Sequence, residues 1–386
     1  MIRLLVVDDS PLMRRLLTGL FEAEGDFLLA QARDGVEALA RLHDFAPDVV
    51  TLDVQMPRLG GLACLERIML ERPCPVVMLS ALTASGAEAT LEALRQGAVD
   101  VVPKPGGAVS LSMETLGPEL VRKVRAAARA RPRGAHRLAE RVRLRAQAAL
   151  RGAAPPGIPP ATPRDAPRGE PALSCSAAPP PRPVFPAMLP QAPGLPGGVV
   201  LVGASTGGPP ALEALLAPLP AGFPWPLVVA QHMPAAFTGP LARRLDGQCA
   251  LSVEEVARPV PLRPGHAYVA RGDADILLSR RPEGLVALPV PALAAYRWHP
   301  SVDRLVESAM QHLPASRLAG VLLTGMGNDG AAAMARLHAG GGRTLAEAEE
   351  SAVIWGMPGS LVRCGGASQV APVEAMAALL RQWVEA

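Results

Sequence analysis

Aromatic residues are nearly missing from this sequence: they fill 3% of its 386 positions, against 49% for apolar residues as a whole. Its cores must therefore be built from Ala, Leu and Val rather than from packed rings. Cysteine is scarce as well. Cys64, Cys74, Cys175, Cys249 and Cys364 form an odd set without a C-x-x-C pair. That pattern argues against a disulfide framework or a zinc site and fits a reducing compartment. There is no marked excess of one charge. The formal net charge of +3 implies no polyanionic partner by itself. No run approaches the ~18 apolar residues a membrane span requires. The opening stretch Met1–Val7 meets Asp8-Asp9 before it reaches the length of a signal-peptide core. The expectation is a cytoplasmic protein without membrane insertion.

What the sequence has in quantity is proline, unevenly placed. Between Ala153 and Pro196 lie 15 of its 42 prolines, mixed with Gly, Ala and Ser. Proline removes backbone donors and favours extended conformers, so this stretch reads as a disordered linker. The length suits two or three domains. We expect a first domain over residues 1–125, an Arg/Ala-rich then Pro-rich linker over 126–196, and a second domain over 197–386. Within Arg122–Arg151, Arg and Ala dominate. That segment reads as the last helix of the first domain, with a second helix after Pro132. Its arginines suit a solvated face, the alternative being a docking patch for nucleic acid or a receptor.

The first domain alternates apolar strands, Leu4–Val7, Phe27–Ala30, Val49–Leu52, Val76–Leu79 and Val99–Val102, with helical patterns. The helical stripes are Leu12, Leu16 and Leu20, then Val36, Leu39 and Leu42, then Leu62, Leu65 and Ile68. Continuous apolar strands separated by helices predict a parallel sheet covered on both faces, a flavodoxin-like (βα)5 fold. The second domain also alternates, with apolar strands at Val199–Val202, Leu227–Ala230 and Val321–Thr324. It predicts a second doubly wound parallel α/β unit.

In such sheets ligands bind at the carboxyl ends of strands. Asp8 and Asp9 end the first strand, Asp53 the third, Ser80 the fourth and Lys104 the fifth. Clustered carboxylates repel one another unless a hard cation neutralises them, and Mg²⁺ suits oxygen ligands. Asp53 would attack a phosphoryl group, Lys104 would pair with the product and Ser80 would hydrogen-bond to it. The segments Val6-Val7-Asp8-Asp9-Ser10, Leu52-Asp53-Val54-Gln55-Met56-Pro57 and Val102-Pro103-Lys104-Pro105 resemble a response-regulator receiver. The resemblance implies Asp53 as phosphoacceptor, Asp8 and Asp9 as the acidic metal pair, and the Gln55 carbonyl as a further metal ligand. Many relatives carry an acidic residue where Gln55 stands and an aromatic switch where Val101 stands.

Gly198–Pro209 reads as a strand, a glycine-rich turn and a helix start around Ser205. Its G-x-S-x-G pattern is that of a nucleophile elbow, though a phosphate or dinucleotide cradle looks similar. A serine nucleophile needs a base and an orienting carboxylate. His232, in Gln231-His232-Met233-Pro234, follows the strand Leu227–Ala230 and would share Ser205's sheet edge. His266 and His299 are the reserves, while His312 and His338 fall in helical patterns. Asp329, in Gly325-Met326-Gly327-Asn328-Asp329-Gly330, could cap a helix or hold His232 in the required tautomer. The flanking glycines would leave the Met326 N–H free for an oxyanion.

Together, Gly203-Ala204-Ser205-Thr206-Gly207-Gly208, Gln231-His232-Met233-Pro234 and Gly325–Gly330 resemble the CheB family of chemoreceptor protein-glutamate methylesterases/glutaminases. Tyr296-Arg297 and Pro300-Ser301-Val302-Asp303 are similar too, with Trp298-His299 as a local variation. Pro264–Ala270 is also similar, although Arg271-Gly272-Asp273 departs from the usual Pro-Gly. The resemblance implies Ser205 as nucleophile, His232 as base, Asp329 as orienting acid, Thr206 as a site neighbour and Met326 as oxyanion donor. It further implies Mg²⁺ at the receiver and no cofactor for the esterase. The partners would be a methyl-accepting chemoreceptor as substrate and a CheA-type histidine kinase as phosphodonor, with no nucleic acid. Three rivals remain. An ordinary α/β-hydrolase would place its acid before its histidine. A DNA-binding output would show a helix-turn-helix or zinc signature. A non-catalytic nucleotide-binding module would use only the Gly203–Gly208 turn.

Overall fold

The computed structural model describes residues 1–81, 83–104, 109–130, 197–282 and 284–385. The Pro-rich linker and most of the Arg/Ala-rich segment therefore lie outside the described residues.

In the first domain five parallel strands lie in the order β2-β1-β3-β4-β5: β1 (Ile2–Val7), β2 (Phe27–Ala32), β3 (Val49–Asp53), β4 (Val76–Ser80) and β5 (Asp100–Pro103). The helices between them are α1 (Pro11–Glu24), α2 (Gly35–Asp44), α3 (Gly61–Glu71), α4 (Ala84–Gln96) and α5 (Val109–Ala127). Local chemistry sets their ends. Ser10 caps α1 by accepting from the Met13 N–H at 3.3 Å, Pro11 fits the first helical turn, and Gly25 ends it at φ 72°. The expected α/β alternation is present, but two helical faces are rotated from expectation. In α1 the buried stripe is Met13, Leu17 and Phe21, while Leu12 is 58% exposed. In α2, Val36 is exposed and Ala38 is buried beside Leu39 and Leu42. Both stripes have helical spacing, and contact with the sheet rather than periodicity selects between them. The last helix also begins earlier than expected, at Val109, so Arg122 and Arg125 belong to its final turns.

The second domain carries a seven-stranded parallel sheet in the order β15 (Gln369–Ala371), β14 (Arg343–Glu347), β13, β6, β7, β10 (His266–Ala270) and β8 (Ser252–Val256). Its central strands are β13 (Leu318–Leu322), β6 (Val199–Ala204) and β7 (Leu227–Gln231), each buried along its whole length. A separate antiparallel sheet, β11-β12-β9, joins Ala274–Arg281, Gly284–Pro291 and Val260–Pro261. Sequence patterning did not separate this hairpin from the parallel unit. Strand β6 has its sequence successor β7 on one side and the later strand β13 on the other. That is the topological switch point, where a crevice opens beyond the strand ends.

The two domains touch through apolar surface. Leu91 and Leu94 of α4 and Leu241 and Leu245 of the helix Ala235–Asp246 belong to one apolar cluster. Val353 and Ile354 of the second domain pack on the core of the first. No helix among the described residues is long and apolar enough to cross a membrane.

Candidate functional sites

At the end of β6 the chain turns sharply. Gly207 takes φ 77°, and a Cβ on Gly208 would lie 1.9 Å from the Gln231 side chain. Only glycine permits this approach. Ser205 and Thr206 sit in the turn, 8% and 3% exposed. The register of β6 and β7 pairs Ala204 with Gln231, and the His232 N–H donates to Ala204 O at 2.9 Å. Ser205 and His232 therefore leave adjacent strands side by side. Gln231 holds the turn by donating from Nε2 to Ser205 O at 2.9 Å.

Asp329 comes from the loop after β13. His232 Nε2 lies 2.8 Å from its Oδ2, with both side chains nearly buried. The carboxylate also accepts from the Val302 N–H at 2.7 Å, the Asp303 N–H at 3.1 Å and the Ser301 hydroxyl at 3.2 Å. It thus caps the helix Val302–His312 rather than its own. Burial would raise the Asp329 pKa, but the bond from His232 and the two N–H groups outweigh it and hold the carboxyl below its ordinary value. Asp303 beside it is pushed up, first by burial and then by the Asp329 charge. The other ring nitrogen, His232 Nδ1, is buried with no hydrogen-bond partner among the described residues, so no hydrogen bond joins it to Ser205.

The 324–330 loop closes over this group. A Cβ on Gly325 would lie 2.7 Å from Ser205 Cβ, so the loop backbone can approach the serine only through glycine. Thr324 ties the loop down. Its hydroxyl donates to Thr206 O at 3.0 Å, and its N–H donates to the buried Glu347 carboxylate at 2.7 Å. The Met326 N–H has no partner among the described residues. Trp298 stacks parallel to His232, with centroids 6.1 Å apart.

The reserve histidines separate clearly. His266 starts β10 (His266–Ala270), a parallel strand, and so lies at the opposite edge of the sheet. His299 is near the site but donates from Nδ1 to Asp275 at 3.0 Å. Asp275 went unnoticed in the sequence. It is fully buried, accepts from the Ser301 N–H at 2.7 Å and the Leu293 N–H at 3.3 Å, and pairs with Arg304. Its pKa is lowered because these partners, His299 foremost, outweigh burial. An Asp directly ahead of the apolar run Ile276–Leu278 in the strand Ala274–Arg281 was the available signal.

In the first domain, carboxylate atoms of Asp8, Asp9 and Asp53 lie within 4.8 Å of one another. Lys104 Nζ lies 2.7 Å from both Asp8 and Asp53. Burial, and then the Asp8 charge, raise the Asp53 pKa against the pull of Lys104. Lys104 is itself raised, since its two carboxylate partners outweigh its burial. An all-oxygen acidic cluster of this size fits Mg²⁺. The Gln55 N–H donates to Asp53 at 3.2 Å. Ser80 faces its own loop, donating to Gly86 O at 3.2 Å. Between the domains, the Thr206 hydroxyl donates to Asp100, which also pairs with Lys123 at 3.0 Å. Arg244 and Glu92 make a second bridge at 3.6 Å.

Comparison with known proteins gives matches along the whole chain. The family described as CheB methylesterase matches residues 200–380, and the response regulator receiver domain matches residues 4–114. Protein-glutamate methylesterase/protein-glutamine glutaminase 2 of Rhodopseudomonas palustris (strain BisB18) is 53% identical over 383 residues, covering 99% of this chain and 98% of that protein. The corresponding protein numbered 3 from Rhodospirillum rubrum is 49% identical over 384 residues, covering 100% of this chain and 96% of its own. The crystal structure of the Thermotoga maritima CheB methylesterase catalytic domain is 35% identical and covers 48% of this chain and 98% of that chain, with a TM-score of 0.47.

Proposed function

The chain belongs to the CheB methylesterase family, with a response-regulator receiver ahead of its catalytic domain, and on that premise we propose that Ser205, His232 and Asp329 form its catalytic triad. The activity is that of a protein-glutamate methylesterase and protein-glutamine glutaminase. The observation that carries the assignment is the 2.8 Å bond from His232 Nε2 to Asp329, beside Ser205 at the switch point of the sheet.

Ser205 Oγ attacks the side-chain carbonyl of a glutamyl methyl ester on a chemoreceptor helix. Its proton passes to His232 Nδ1, while the Nε2 proton stays on the ring, hydrogen-bonded to the ionised Asp329, which stabilises the imidazolium. The oxyanion accepts from the Met326 N–H. Collapse breaks the ester C–O bond, and the leaving methoxide takes the proton from Nδ1 to become methanol. Water then attacks the acyl-enzyme with His232 again as base, releasing the glutamate side chain and restoring Ser205. With glutamine the leaving group is ammonia. None of these steps calls on a cofactor.

At the receiver, Asp53 is the proposed phosphoacceptor, with Asp8, Asp9, Asp53 and the Gln55 carbonyl as the Mg²⁺ ligands. Bound Mg²⁺ would draw charge from an incoming phosphoryl group. Lys104 is placed to pair with the product phosphoryl, and Ser80 would turn from its loop to donate to it. A CheA-type histidine kinase in the cytoplasm is the proposed phosphodonor, and the 1–125, 126–196 and 197–386 division is the proposed domain plan. The unphosphorylated receiver restricts access to Ser205. The near-burial of Ser205, the apolar contact of α4 and the Thr206–Asp100 bond support this reading. Phosphorylation then shifts the population towards an open state.

The test is methanol release from methylated receptor. Wild-type protein should release it, and Ser205→Ala should lose about 10⁴-fold or more in kcat. Equal rates for the two would contradict the assignment.

A further inference from the structure

The segment from Ala292 to Ser301 rims the site, and its two arginine-bearing contacts differ in kind. Arg304, just beyond it, is committed to the buried Asp275 and lies over the Tyr296 ring. Arg297 is exposed and has no acidic partner among the described residues. Its guanidinium lies over the Trp298 ring, 5.5 Å from the centroid. Trp298 in turn stacks on His232, and a Cβ on Gly327 would lie 2.5 Å from that ring. Asp275 fixes the segment on either side of Trp298 through the Leu293 and Ser301 N–H groups and His299. The stack from Arg297 through Trp298 to the general base is therefore pinned rather than draped.

A guanidinium held over a ring and without an acidic partner keeps its planar N–H fork free to donate. That fork is the shape that binds a carboxylate through two parallel hydrogen bonds. From these contacts we propose that Arg297, held over Trp298, is a specificity-determining residue that favours glutamyl esters with a carboxylate one helical turn away. The proposal rests on the methylesterase reading above. Its chemical logic is internal to the reaction, because each turnover turns a neutral ester into a carboxylate. On a helix, residues four apart share a face. A helix with two esterified glutamates four residues apart would therefore become a better substrate for the second once the first is demethylated. An exposed charge pair of this type contributes little, so the preference is modest and salt-sensitive.

The test uses the full chain, with Mg²⁺ and a small-molecule phosphodonor present throughout. Two helical peptides each carry one glutamyl methyl ester, flanked four residues away on both sides by Glu or by Gln. Wild type should favour the Glu peptide by about threefold to fivefold in kcat/KM at low salt, mostly through KM. That ratio should fall towards one in Arg297→Gln, invert in Arg297→Glu and survive in part in Arg297→Lys. Both peptides are read on the same protein, so a lowered folded fraction cancels, and a merely structural role would slow both alike. A ratio in Arg297→Gln equal to that of wild type, or a wild type without preference, overturns the proposal. Wild type that cleaves neither peptide overturns the esterase reading itself.

Discussion

The two polar centres of this chain sit at the same place in their folds, beyond the carboxyl ends of parallel strands, yet their carboxylates are held in opposite ways. Asp329 collects two backbone N–H groups, a hydroxyl and an imidazole, and its pKa is lowered. Asp53 has Lys104 as its main partner, and its pKa is raised, first by burial and then by the Asp8 charge. The first is satisfied by its own fold and can orient a base at any moment. The second is short of positive charge and gains from a cation and a phosphoryl group supplied from outside. The proposed orienting carboxylate and the proposed phosphoacceptor are thus distinguished by how completely the surrounding backbone satisfies them.

The largest effect is expected at Asp329. Asp329→Asn keeps the shape but offers an amide to His232, so the imidazole loses the tautomer with a free Nδ1. Methanol release should fall by about 10³- to 10⁴-fold in kcat, with little change in KM. A loss below tenfold would mean that Asp329 is only a helix cap.

A smaller effect is expected where the two domains meet. Asp100→Asn weakens the acceptor for the Thr206 hydroxyl and the Lys123 pair together. Methylesterase activity without phosphodonor should rise a few-fold, while the fully phosphorylated rate changes less. A fall in basal activity, or no change, would remove this contact from the regulation.

The smallest effect concerns Asp303. Its folded pKa lies above its unfolded value, so its ionisation costs stability as pH rises through the ordinary carboxylate range and beyond, and costs nothing below it. Asp303→Asn keeps an acceptor for the Ala333 N–H, now at 3.0 Å, and removes the repulsion from Asp329. Thermal unfolding should show a Tm gain at pH 8 that vanishes near pH 3.5. A gain independent of pH would place its origin elsewhere.

Much of this arrangement could be read in the sequence because apolar strands announce themselves and the residue just past each strand is placed by the sheet. Asp8, Asp53, Lys104, Ser205 and His232 were legible on those terms. Asp329 lies seven residues past β13, and only its glycine-rich setting marked it. Other features had no local signature. The stripe Met13, Leu17 and Phe21 was masked by the equally periodic Leu12, Leu16 and Leu20, and the choice depends on which side meets the sheet. Asp275 is a buried carboxylate whose partners lie far along the chain, and buried Glu347 reaches back to the distant Thr324 N–H. The Thr206–Asp100 bond spans 106 positions and exists only because one domain docks on the other.

If phosphorylation of Asp53 opens the catalytic cleft, the charge at Asp53 governs access to the Ser205 hydroxyl. The rate at which a fluorophosphonate labels the full chain, with the modified residue located by mass spectrometry, tests this most directly. Ser205 should carry the label, labelling should accelerate when Mg²⁺ and a small-molecule phosphodonor are added, and Asp53→Asn should abolish the acceleration while keeping the basal rate. Label on another residue, or acceleration that persists in Asp53→Asn, would contradict it.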